Sequence, residues 1–101
     1  IIEVINDKFG TDFDEEDQYL FDQVTERMTD DEAVQQSARV NDRDHFEDAN
    51  RDKLKSAIFE RHDENQDIVS RIAQDEEFGE TVIDLLLGRI YEEARDGKAR
   101  S

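Results

Sequence analysis

Apolar residues recur along this chain at helical spacing, in six blocks separated by polar joints. Ile1, Ile2 and Ile5 share a helical face, and Gly10 is placed to end that helix in the left-handed conformation. Asp14 is then an N-cap, with Asp17 at the position where a carboxylate bonds back. Phe13 precedes the cap and is expected to pack on Gln18 or Tyr19 as a hydrophobic staple. The second helix runs to about Met28, with Leu20, Val24 and Met28 on one face and Phe21 beside them. "TDDE" reads as a capping box, Thr29 at the cap and Glu32 reaching back, opening a short third helix with Val34 and Ala38 inward.

Asn41 or Asp42 caps a fourth helix whose stripe is Phe46, Ala49, Leu54, Ala57 and Ile58. The pattern breaks at "RHDENQD", where Asp63 or Asn65 caps a fifth helix carrying Ile68, Val69, Ile72 and Ala73. Asp75 caps the last helix, and Phe78, Val82, Leu85, Leu86, Ile90 and Ala94 form its apolar face. "DGKARS" reads as a frayed end, with Gly97 as the stop. No strand pattern and no internal repeat occurs. The expectation is an all-α fold, a small irregular bundle of five or six helices within one domain over residues 1–101.

Composition supports helices and adds a conflict. There is no proline and only four glycines, but hydrophobic residues make up 35% and the formal charge is −16. Such values lean toward disorder when apolar residues are scattered, and here they are not. The charge is uneven. Residues 1–37 hold 12 acids and 2 bases, net −10; residues 38–62 hold 6 of each, net 0. Residues 63–84 hold 8 acids and 1 base, net −7; residues 85–101 hold 3 acids and 4 bases, net +1. No segment offers the basic stripe that phosphate binding demands, so direct DNA binding is not expected. The longest apolar run, "VIDLLL", is broken by Asp84, so no membrane span is expected. The lack of cysteine removes thiolate chemistry and disulfides and fits a cytoplasmic setting. The chain starts at Ile1 rather than Met, as expected of a processed or excised piece of a longer protein.

Chemical motifs fare poorly. With Gly10 at the glycine position of a calcium loop, Asp7 and Glu16 fit, but Ile5 and Phe9 stand where oxygen ligands are required. His45 and His62 fall on one predicted helix, about 25 Å apart, too far to share a metal. Gly97-Lys98 has Glu92 where a phosphate-binding loop needs glycine. No catalytic, cofactor-binding or metal-binding residues are assigned. Tyr19, Phe21, Phe59 and Tyr91 fall off the main stripes and are candidate partner contacts, or members of a second buried face.

The order of several motifs resembles the C-terminal region of type I restriction enzyme R subunits. They are "KFGTDF-EED" at 8–17, "AR-N" at 38–41, "F--A----L--A" at 46–57, "ER-DEN-DI---I-QDEEF" at 60–78 and "LL-RIYEEAR" at 86–95. The chain departs from the family at "EDANRDKLKSA", where a phenylalanine-rich stretch is usual, and at His62, where Met often follows the arginine. The resemblance implies a helical, non-catalytic C-terminal piece of a larger ATP-dependent DNA translocase and endonuclease. The nuclease and ATPase domains, with ATP and Mg, would lie upstream. Its implied partners are the methyltransferase and specificity subunits and the rest of the R subunit, and its implied role is docking the motor onto that modification core. The alternative is an acidic DNA mimic or another acidic interaction module, which the −16 charge fits and the neutral 38–62 segment does not.

Overall fold

The computed structural model describes residues 1–96, and the expected stop at Gly97 lies outside them. The described residues form six α-helices and no strand: α1 (Ile2–Phe9), α2 (Glu15–Thr29), α3 (Glu32–Val40), α4 (Arg43–Phe59), α5 (Gln66–Gln74) and α6 (Glu76–Arg95). None is long and apolar enough to cross a membrane.

Local chemistry sets the helix ends. Gly10 adopts φ +66°, and its N–H bonds to the Asn6 carbonyl, which closes α1. The Asp14 carboxylate accepts the Glu16 N–H at 3.1 Å, and the Asp17 carboxylate accepts the Asp14 N–H at 3.3 Å. The expected capping box is therefore present. Asp42 caps α4 through the His45 N–H (2.9 Å), and Asp75 caps α6 through the Phe78 N–H (3.1 Å).

One expectation at these ends changes. Thr29 does not cap α3: it is the buried last residue of α2, and Asp31 caps instead, accepting the Ala33 N–H at 2.8 Å. Phe13 gains a distant partner that the local reading did not name: its ring lies 5.8 Å from that of Phe78, which also meets Phe9 at 5.0 Å.

The core organises around α6, which touches α2, α3, α4 and α5. Its buried face is wider than the apolar stripe suggested. Ile83 and Leu87 are buried with Phe78, Val82, Leu86, Ile90 and Ala94, whereas Leu85 is only partly covered. On α4, Asn50 rather than Ala49 turns inward; its amide donates to the Phe46 carbonyl (2.8 Å) and the Ser37 hydroxyl (3.1 Å). Ala73 of α5 is likewise exposed.

Glycine inside a helix costs about 1 kcal/mol relative to alanine, so the two in α6 invite a physical test. A Cβ on Gly79 would lie 2.5 Å from the Ile72 carbonyl oxygen, so this glycine lets α5 and α6 approach. A Cβ on Gly88 meets only the Arg43 guanidinium, which can swing away. Gly88→Ala is expected to stabilise by up to about 1 kcal/mol. Gly79→Ala is expected to destabilise by about 1–3 kcal/mol, because backbone must move. Parallel thermal melts check this; equal shifts of the same sign would show that the α5–α6 approach is not tight.

Candidate interaction surface

The α1–α2 corner and the α4–α5 turn meet at one end of the bundle. Asn6 locks the corner: its Nδ2 donates to the Phe13 carbonyl at 2.9 Å, and its Oδ1 accepts from the Thr11 hydroxyl (2.7 Å) and the Phe13 N–H (3.0 Å). Gln18 accepts the Ile2 N–H at 3.1 Å and so ties α1 to α2. Asn65 joins the other segment. Its Nδ2 donates to Asp17 Oδ1 at 3.0 Å and to the Glu16 carbonyl at 3.3 Å. Asn65 begins α5 as expected, but its side chain is committed to α2 rather than to its own helix.

This joint gathers acids from two distant stretches. A groove of about 460 Å³ is lined by Asp12, Asp14, Glu16, Asp17, Asp63, Glu64 and Asp67. Few cations reach it. Arg61 pairs with Glu64 at 2.9 Å and also bonds Gln23 of α2. Among the described residues, no Lys or Arg pairs with Asp12, Asp14, Glu15, Glu16 or Asp67. Several other bases are engaged elsewhere. Arg51 of α4 bridges to Glu80 (2.7 Å) and Asp84 (2.6 Å) of α6; the Asp84 bond outweighs partial burial and raises the Arg51 pKa. Lys53 holds Asp31 at 2.8 Å and lowers its pKa. Arg89 binds Asp22 at 2.9 Å. Partial burial works against the Asp22 charge, but the bonds from Arg89 and Gln18 prevail and hold its pKa below the ordinary value. Segment 38–62 thus sends Arg51, Lys53 and Lys55 to Glu80, Asp84 and Asp31, and only Arg61 to the acidic end.

The predicted aromatics divide. Tyr19 is 61% exposed and stands in a second groove of about 520 Å³ that shares Glu16, Glu64 and Asn65 with the acidic one. Its hydroxyl accepts from Gln23 Nε2 at 2.6 Å. Phe59 is 40% exposed and lines a separate groove with Ile72 and Ile83, where α4, α5 and α6 meet. Phe21 is fully buried and belongs to the core, so it offers no surface contact. Tyr91 is partly buried; its ring packs 5.1 Å from that of Phe46, and its hydroxyl donates to the Asn41 carbonyl at 3.4 Å. The four are not brought together. Val4 and Val40, both exposed, were not singled out by the pattern.

The histidines do not share a helix. His45 sits in the first turn of α4, and His62 lies beyond its end, 3.1 Å from the Ser70 hydroxyl. His45 Nδ1 is 2.7 Å from Asp42 Oδ1. This contact raises the His45 pKa, while the His45 backbone N–H and then its ring lower that of Asp42. Among the described residues, no group of three His, Asp or Glu side chains is arranged to hold a metal ion. No protein-family profile, curated protein or solved structure matches the chain.

Proposed function

We propose that this chain is a non-catalytic docking domain, the helical C-terminal piece of a type I restriction R subunit, which attaches the motor to the methyltransferase–specificity core. The observation that carries the docking role is the acidic end: seven carboxylates line one groove, and an exposed tyrosine stands in the groove beside it. Concentrated negative charge next to an exposed aromatic suits recognition of a basic protein surface, because complementary potentials speed encounter and an aromatic supplies contact area. The residues behind the resemblance to R subunits also support the reading. Gly10, Phe13, Asn65 and Phe78, from two separate motifs, jointly build this end.

The test is to add the chain to a type I methyltransferase–specificity core already bound to DNA. A ternary complex that weakens as salt rises is the expected result. Displacement of DNA would replace docking with mimicry. Absence of any interaction would refute attachment to the core.

A further inference from the structure

We infer that the Tyr19 groove receives a segment of a partner protein in which an apolar side chain is flanked by lysine or arginine. The inference rests on the docking reading and names what that surface recognises. Its basis is an apolar groove rather than the acids alone. Tyr19 presents its apolar part over the buried Leu20, and Arg61 bonds across to Gln23 and Glu64. Glu15, Glu16 and Glu64 lie at the same groove. The acidic groove continues from it through Glu16, Glu64 and Asn65. An apolar anchor would cover Tyr19, and flanking cations would meet Glu15 and Glu16, which no lysine or arginine of the described chain pairs with, whereas Arg61 holds Glu64. A cation over the exposed tyrosine ring adds to this.

Charge selects among occupants. A second copy brings its own −16 to the same surface. Nucleic acid and anionic lipid headgroups are repelled by the carboxylates. A basic protein segment alone satisfies both the apolar ring and the acidic surround. The Phe59 groove is less acidic: of its two carboxylates Glu80 pairs with Arg51 and Lys55, and Glu76 alone has no lysine or arginine against it among the described residues.

The probe is a short synthetic peptide of lysine and arginine around one central leucine, titrated into the labelled chain and followed by amide chemical shifts and calorimetry. The largest shifts are expected at Glu16, Tyr19, Glu64 and Asn65. Tyr19→Ala should weaken binding about tenfold, as should replacing the peptide's leucine by glycine. Glu15→Gln with Glu16→Gln should flatten the salt dependence, and Phe59→Ala should leave affinity unchanged. Circular dichroism of Tyr19→Ala confirms that the fold is kept, since the side chain is mostly exposed. Shifts spread evenly over the acidic surface, or wild-type affinity in Tyr19→Ala, would overturn the groove. If the chain binds the modification core but not the peptide, the groove is refuted and docking stands. Peptide binding at Tyr19 without core binding supports the groove and removes the core as its partner.

Discussion

Leu86→Ala should cost on the order of 2–5 kcal/mol of stability. Leu86 is fully buried in α6, the helix that touches four others. Truncation there removes apolar area and leaves a cavity bounded by several elements, which cannot all collapse together. A domain of this size has about 5–15 kcal/mol in total, and its −16 charge works against compaction. The midpoint of thermal unfolding should fall by roughly 8–40 °C, at about 4–8 °C per kcal/mol. Added salt should recover part of the loss by screening carboxylate repulsion, in the variant as in the parent chain. Chemical denaturation with an unchanged m-value checks the assignment. A loss below about 0.5 kcal/mol would place Leu86 outside the core, since changes that small are typical of surface positions.

Much of this fold is legible because four of the six helices open on an aspartate cap. Asp14 with Asp17, Asp42 and Asp75 cap where their spacing says they should, and Gly10 stops α1 through local backbone chemistry. The readings that changed depend on distant neighbours. "TDDE" contains competing caps, and burial of Thr29 at the end of α2 leaves that role to Asp31. Asn50 faces inward because Ser37 of α3 is there to accept its amide, which an apolar pattern cannot register. Tyr19 and Phe21 flank Leu20 on opposite sides of one helix, so the stripe alone does not say which flank is covered. Packing buries Phe21 and leaves Tyr19 exposed. The acidic character of residues 1–37 and 63–84 is plain in the sequence, but their meeting is not. It depends on Asn65 reaching Asp17 across 48 positions, and on Asn6 pinning the corner through the Phe13 backbone, neither of which an apolar pattern registers.

Phe78→Ala should be at least as severe as the α6 centre, costing about 3–5 kcal/mol, and its loss should be localised first. Phe78 is fully buried near the start of α6 and receives Phe9 and Phe13 at ring separations of 5.0 and 5.8 Å. The Arg71 guanidinium lies 4.9 Å from its centroid. One ring therefore connects the end of α1, the α1–α2 corner, α5 and α6. Helix α1 is only 8 residues long, too short to persist without packing. With the ring gone, Phe9 and Phe13 lose their aromatic partner, and α1 is held by the buried Ile2 and Ile5 and by polar ties such as Asn6–Phe13 and Ile2–Gln18. Hydrogen exchange at the Ile5 and Gly10 amides, both bonded within α1 and its cap, should accelerate more than at the centre of α6. Phe78→Leu refills part of the volume and should retain most of the protection. Binding of the basic peptide should weaken in Phe78→Ala, because Asp12, Asp14 and Glu16 stand on the corner this ring anchors. Uniform acceleration along the chain would instead mean that α1 and α6 unfold as one cooperative unit, and that the corner has no stability of its own to lose.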